Sequence, residues 1–296
     1  TFRIRFALIV GFLVFFGHVA LYRVFTKAYP GRNVLVIIGC FLLPSTIYFS
    51  SGIHKDGIVF LMLSILVYCI YQSLQQNRVI KKYGLLIITS LIFLLLIRHF
   101  IFIALVPALI AWIISVKFKQ APLKVFAITY LLAGLLLFNI NSLISAAKPL
   151  EIITQKQYDY LHLQKSDTEV SLDSLQPNFK SFAINAPRAF NHVLLRPYIW
   201  ELPVKSLLPL NIELLIYQIL FLAFLFFRIK ATNGSNTLFI YFAVAFTLTI
   251  FLLIGYIVPN LGSIVRYRSL YLPLIITPLL CSIDWDKVKN IIKIKK

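Results

Sequence analysis

The strongest constraint on the fold of this chain is a series of nine apolar runs, each close in length to a membrane span. A hydrocarbon core of ~30 Å needs roughly 17–25 apolar residues per helix, and a helix satisfies its backbone hydrogen bonds internally. We therefore predict an all-α polytopic membrane protein with about nine transmembrane helices. The predicted spans are 6–22, 34–49, 58–74, 84–97, 100–116, 125–144, 212–227, 237–256 and 269–283.

The composition agrees with this class of protein. Hydrophobic residues make up 60% of the chain and charged residues 13%, whereas soluble domains have about 45–50% and about 25%. Cys40, Cys69 and Cys281 all lie in apolar runs, without a CxxC motif or a Cys/His cluster. The sequence therefore supports neither a disulfide framework nor a zinc site, and we expect no metal and no cofactor.

The basic residues predict the orientation. Sixteen of the 29 Lys and Arg residues lie in one alternating set of short connections, which the positive-inside rule makes cytoplasmic. The net charge of +19 is therefore a topology signal, and no nucleic-acid partner is expected. Arg3 and Arg5 fall on the opposite side; we interpret the run after them as a true span, because no signal-peptide cleavage site follows. Eight of the ten acidic residues lie on the extracytoplasmic side.

The chain divides into three parts. Residues 1–144 hold about six spans, 145–211 form a long extracytoplasmic loop, and 212–296 hold about three spans and a basic cytoplasmic tail. Within the loop, apolar residues recur at helical period between Phe179 and Leu195. This pattern predicts an interfacial amphipathic helix, interrupted at Pro187.

A polar turn between two early spans is the first candidate site. Its residues 49–57 include His54, Lys55 and Asp56, which supply a base, a cation and a carboxylate in succession. Ionisable groups at the mouth of a membrane hairpin are costly unless they are paired or solvated. Asp56 has a simpler alternative role, because a carboxylate at this place can cap the following helix.

Arg98 and His99 divide a second apolar stretch, 84–116. As one helix its 33 residues would extend about 50 Å, too long for the hydrocarbon core, so we expect two short spans with Arg98 at the turn. The alternative is an arginine that snorkels to the interface. His18 is the only ionisable group that we expect to be buried in a span.

Two further clusters lie in extracytoplasmic connections. The first lies late in the long loop and consists of Arg196, Pro197, Tyr198, Trp200 and Glu201. Here the aromatic residues alternatively belong to an interfacial belt, and the two charges alternatively pair only with each other. Arg266, Tyr267 and Arg268 precede the last span and form a predicted anion clamp, since guanidinium groups bind phosphate oxygens bidentately. Ordinary interfacial anchoring is the alternative for these arginines.

Together these residues fit the transfer of a sugar from a polyprenyl-phosphate carrier. Cations would stabilise the anionic leaving group, and a carboxylate or histidine would accept the proton of the acceptor hydroxyl. The candidate catalytic residues are Asp56, His54 and Glu201. The candidate substrate- and phosphate-binding residues are Lys55, Arg98, His99, Arg196, Trp200, Arg266, Tyr267 and Arg268.

Three short motifs also carry a family resemblance. A Ser-Gly-x-x-Lys-Asp turn at 51–56, an Arg-Pro-x-x-Trp-Glu stretch at 196–201 and the Arg-Tyr-Arg of 266–268 resemble those of O-antigen polymerase and EpsG-like proteins and of GT-C-type glycosyltransferases. The resemblance implies an undecaprenyl-linked donor, a saccharide acceptor, proteins of surface-polysaccharide assembly as partners and a place in the bacterial inner membrane. The chain departs from the lipid-A-sugar and mannosyl transferases of the GT-C type, because Asp56 is its only early extracytoplasmic acid.

Two other classes remain open. A flippase or transporter for a lipid-linked oligosaccharide would also bind phosphates with arginines, but we would expect charges deep in several spans and a repeat that relates two halves. A non-catalytic subunit of an assembly complex is the third class.

Overall fold

A computed structural model describes residues 2–51, 54–76, 80–143, 148–162, 168–198, 208–229 and 235–294. These residues form helices and connecting segments, with only isolated β-bridges. The helices are α1 (Phe2–Ala28), α2 (Asn33–Phe41), α3 (Pro44–Ser51), α4 (Lys55–Gln76), α5 (Ile80–Ile97), α6 (His99–Phe118), α7 (Pro122–Leu143), α8 (Pro149–Leu161), α9 (Phe179–Leu194), α10 (Leu208–Phe227), α11 (Ser235–Ile257), α12 (Leu261–Ser269), α13 (Leu272–Ser282) and α14 (Trp285–Ile294).

The helices confirm a multi-pass membrane protein but not the exact number of spans. By length and composition, six helices in the described part of the chain could each cross a membrane, and up to eight spans result if each of two bent helix pairs is one span. The remaining predicted span, 84–97, falls on α5, whose apolar part, Lys82–Ile97, is shorter than the six long apolar helices. The count of nine therefore stays a prediction.

The two bent pairs are α2–α3, with a 47° bend, and α12–α13, with a 67° bend. A proline lies at the start of the second helix in each pair, Pro44 and Pro273, where the missing N–H costs nothing. The pairs pack on each other, α2 on α13 and α3 on α12. Near the bends, the Thr46 hydroxyl donates to the carbonyl of Ser269 at 2.7 Å. Two broken helices thus lie side by side within the bundle.

Contacts between connections divide the bundle into two ends. At one end Lys27 donates to the side chain of Gln72, and Arg32 donates to the carbonyl of Ile283. At the other end the starts of α4 and α6 meet the end of α12. These groups match the two sets into which the charged connections sort in the sequence, while the orientation in a membrane remains a prediction.

The loop region contains α8 and α9. The predicted interruption of α9 at Pro187 is wrong: the helix continues from Phe179 to Leu194, and the side chain of Asn178 caps it by accepting from the Ser181 N–H at 2.8 Å. The buried face of α9 packs on α11. There Gly255 is required, because a Cβ atom would overlap the backbone of Ala189.

Candidate functional site

Asp56 is the centre of the site. It lies in the first turn of α4, and its side chain is fully buried. One carboxylate oxygen accepts a hydrogen bond from Arg98 Nη2, and the other accepts from Arg266 Nε at 2.5 Å. Both oxygens of the carboxylate are therefore held by arginines, which favours a positioning role for Asp56 over the predicted roles of helix cap or proton acceptor.

Three distant segments bring these charges together. Asp56 begins α4, Arg98 separates α5 from α6, and Arg266 lies in the last turn of α12. The extended backbone of Arg98, with φ −147° and ψ 79°, ends the helical path there and confirms the predicted break. Next to Asp56, Gly57 allows a close approach, because a Cβ atom would overlap the carbonyl oxygen of Ser50 at the end of α3.

Arg98 is buried rather than exposed at an interface. Its side chain is 4% exposed, and its guanidinium carbon lies 4.3 Å from the centre of the Tyr267 ring. An arginine over an aromatic face is attracted by the ring quadrupole. The snorkelling alternative for Arg98 is therefore wrong. Its Nε lacks a hydrogen-bond partner among the described residues.

Tyr160 of α8 completes this side of the site. Its hydroxyl lies 3.1 Å from the hydroxyl of Tyr267. Burial raises the pKa of Tyr160, and the hydrogen bond with Tyr267 raises it further. Tyr160 therefore stays protonated at neutral pH and serves as a hydrogen-bonding neighbour of the cations rather than as a base.

The site carries an excess of positive charge. One carboxylate faces two guanidinium groups, which leaves one uncompensated positive charge and several N–H donors beyond those bonded to Asp56. The Arg266 side chain is 32% exposed, so part of its guanidinium group is accessible. We call the set of Asp56, Arg98 and Arg266 the aspartate cluster; its charge favours an anionic ligand.

A second buried carboxylate, Glu213, lies on α10. It accepts from the backbone N–H of Ser45 at 3.1 Å, from the Ser45 hydroxyl at 3.0 Å and from the Tyr217 hydroxyl. Glu213 also interacts electrostatically with Arg268. We call Glu213 and Arg268 the glutamate cluster.

Arg268 is 4% exposed and is bound by backbone carbonyl groups. Its Nη1 donates to Val193 O at 2.7 Å and to Arg196 O at 2.8 Å. Arg266 and Arg268 therefore belong to different clusters, and the predicted clamp of two neighbouring arginines is not formed. Arg268 instead holds the turn that contains Arg196.

The remaining candidates lie around these clusters. His54 and Lys55 are exposed, and His99 is half-buried with no hydrogen bond to its Nε2 from any described residue. The Nη1 atom of Arg196 lies 3.0 Å from Nδ1 of His192, and its guanidinium group lies over the Tyr198 ring. Trp200 and Glu201 lie outside the described residues, so their predicted roles stay predictions.

Sequence reasoning missed the importance of Glu213 and Tyr160. Glu213 stands at the start of the run 212–227, and an ionisable residue in an apolar span is itself a signal. His18 is buried as expected, with its Nδ1 2.6 Å from Cys40 O, but it is not alone, because Asp56, Arg98, Glu213 and Arg268 are buried too. Tyr160 carries no such signal.

No group of three or more His, Cys, Asp or Glu side chains suited to a metal ion occurs among the described residues. Comparison with protein families, curated proteins and solved structures gave no match.

Proposed function

We propose that this chain is an integral membrane glycosyltransferase or polysaccharide repeat-unit polymerase. It would use a polyprenyl-phosphate-linked sugar donor on the extracytoplasmic face of the bacterial inner membrane. The observation that carries the proposal is that Asp56 holds Arg98 and Arg266 together with an excess positive charge. A lipid phosphate supplies the opposite charge, and guanidinium groups bind phosphate with directed N–H donors.

The chemistry follows from that placement. In the transfer, the bond between the anomeric carbon and the donor phosphate oxygen breaks, and its electron pair stays on the phosphate. A bond forms between the anomeric carbon and the acceptor hydroxyl oxygen, whose proton passes to a base. Arg266, with Arg98 behind it, would stabilise the leaving phosphate, because preorganised donors act where charge develops.

Several residues are candidates for the group that accepts the proton of the acceptor hydroxyl. Asp56 is occupied by two arginines, whereas His99, which follows Arg98 in the chain, has a buried ring nitrogen without a partner in the described part of the chain. We therefore assign His99 as the candidate base within the described residues. Glu201 and His54 remain the other predicted bases.

Arg266→Ala tests the proposal. We expect cells whose only copy carries this variant to make polysaccharide that collapses to a single repeat unit on a gel ladder, with normal protein abundance on a blot. Abundance should be kept because Asp56 and Arg98 remain a balanced pair after Arg266 is removed. Arg266→Lys, which retains the charge without the fork of donors, should recover part of the chain length.

Arg188→Ala is the matched control. Arg188 also pairs with a carboxylate, that of Asp173, but both side chains are more than half exposed, and exposed pairs contribute little to stability. We expect an unchanged ladder from this variant. An unchanged ladder from Arg266→Ala as well would mean that the aspartate cluster is structural, and would contradict the proposal.

A transporter for a lipid-linked oligosaccharide is the second candidate. It is favoured by the two broken helix pairs that pack on each other and by the buried charges of the glutamate cluster, since interrupted helices often form substrate sites in transporters. Purified protein in detergent, given a polyprenyl-linked saccharide and an acceptor, separates the classes. An enzyme forms a glycosidic product without a second compartment, and a transporter does not.

A further inference from the structure

A lateral groove of about 670 Å³ lies beside α7. Its walls come from α7, from the start of α8 and from the start of α9, and most of its lining is apolar. The residues that the argument uses are Tyr130, Gly134, Phe138, Leu150 and Phe179. This volume lies within the range of small-molecule sites, about 300–1,000 Å³.

The groove follows α7, one of the helices that are long and apolar enough to cross a membrane. Only 11% of the apolar window of α7 is buried inside the protein, and Leu131 and Leu135, which also line the groove, are more than half exposed. From Tyr130 to Phe138 the groove follows α7 for about 12 Å. An apolar channel of this length, open to the hydrocarbon region, can receive a lipid chain from the side.

Helix α8 connects the groove with the aspartate cluster. Leu150, near its first residue, lines the groove, while Tyr160, near its last, bonds to Tyr267, whose ring lies against Arg98. Ten residues of helix separate Leu150 from Tyr160, a rise of about 15 Å. An apolar site and a cationic site are therefore presented at the two ends of one short helix.

We propose that this groove binds the hydrocarbon chain of the polyprenyl phosphate whose phosphate group is bound by Arg266. The inference rests on the proposed function and adds a second subsite to it. A lipid of this class joins a phosphate to a long apolar chain, and so matches both ends of α8. Apolar burial in the groove would add affinity, and the cations would fix the position of the phosphate.

Gly134 provides a test that adds volume without displacing the protein. A Cβ atom built there has no neighbour within 4 Å, so the side chain of Gly134→Phe would occupy the groove. Gly84→Phe on α5 is the matched control, because its surroundings are equally open and it does not line the groove. Gly134→Leu is a second, smaller substitution, should the larger one lower the amount of folded protein.

The probe is a polyprenyl monophosphate that carries a photoreactive diazirine on its chain, used in membranes that contain the full chain. We expect labelled peptides from the groove in the wild type and in Gly84→Phe. Labelling should fall roughly tenfold or more in Gly134→Phe, and by less in Gly134→Leu. Undiminished labelling in both Gly134 variants would overturn the proposal, as would equal labelling of the groove by a diazirine phosphatidylglycerol.

The two proposals fail in different ways. If the groove is labelled as expected while Arg266→Ala leaves the polysaccharide ladder unchanged, the lipid site stands and the proposed chemistry does not. If Arg266→Ala collapses the ladder while the Gly134 variants alter neither labelling nor ladder, the proposed function stands and the groove assignment is overturned.

Discussion

Asp56 and Glu213 are both buried carboxylates, but their surroundings differ. Asp56 is bonded by two guanidinium groups, one of them buried and one partly exposed. Glu213 is bonded by a backbone N–H and two neutral hydroxyl groups, while its cation, Arg268, is bound to two carbonyl groups. The first cluster retains excess positive charge and unused donors. The second cluster has one carboxylate and one guanidinium group, so it carries no net charge.

This difference indicates that one cluster binds a ligand and that the other holds helices together. A cluster without net charge attracts an anion only weakly, whereas an excess of cations around one anion attracts another anion. We infer that the aspartate cluster contacts substrate and that the glutamate cluster holds α3, α10, α12 and the turn at Arg196 in place. Substitutions of the two carboxylates should therefore have different consequences.

The largest effect should follow Asp56→Asn. The substitution leaves the buried Arg98 without its counter-charge, and removal of one partner of a buried ion pair typically costs about 3–5 kcal/mol. We expect a marked fall in the thermal unfolding temperature of the purified protein in detergent. The double variant Asp56→Asn with Arg98→Gln should recover part of the loss, because the buried charge is then gone. Equal stability of Asp56→Asn and wild type would show that Asp56 does not hold the arginines.

A smaller effect is expected for Glu213→Gln. The amide oxygen can still accept from Ser45, and Arg268 keeps its hydrogen bonds to the carbonyl groups of Val193 and Arg196. The loss is therefore restricted to the charge interaction with Arg268 and weaker hydrogen bonds, about 1–3 kcal/mol. The polysaccharide ladder should keep its wild-type length in proportion to the protein present. A collapsed ladder at normal protein abundance would move Glu213 into the working site and remove the distinction between the clusters.

Much of the fold follows from sequence periodicity. Apolar runs predict helices because a membrane requires every backbone group to be bonded within its own segment, and the break at Arg98 follows from helix length alone. The bends in α2–α3 and α12–α13 were not predicted. Pro44 and Pro273 lie inside the predicted spans 34–49 and 269–283 and begin the second helix of each pair. Because a proline disfavours helical backbone in the residue before it, these two positions could have indicated the breaks.

The site was predictable in part. The residue types and the shared side of the membrane pointed to Asp56, Arg98 and Arg266, but their partners depend on packing between α4, α6 and α12. Spacing alone suggested that Arg266 and Arg268 act together. Residues two apart on a helix do not face each other. Because Arg266 and Arg268 lie on α12, their side chains point to different clusters. Helical spacing, applied to 266–268, could have found this.

The smallest effect should follow Tyr160→Phe, and it examines how the outer loop supports the aspartate cluster. The variant removes only the hydrogen bond with Tyr267, worth about 0.5–1.5 kcal/mol. Tyr267→Phe should cost a similar amount, and the double variant should cost less than the sum of the two.

Because burial raises the pKa of Tyr160, folding favours the neutral hydroxyl. The stability difference between wild type and Tyr160→Phe should therefore be constant at every pH below the ordinary tyrosine value of 10.0 and decline above it. Thermal unfolding across pH measures this, and a difference that declines near neutral pH would contradict the assignment of the contact to the neutral Tyr160 hydroxyl.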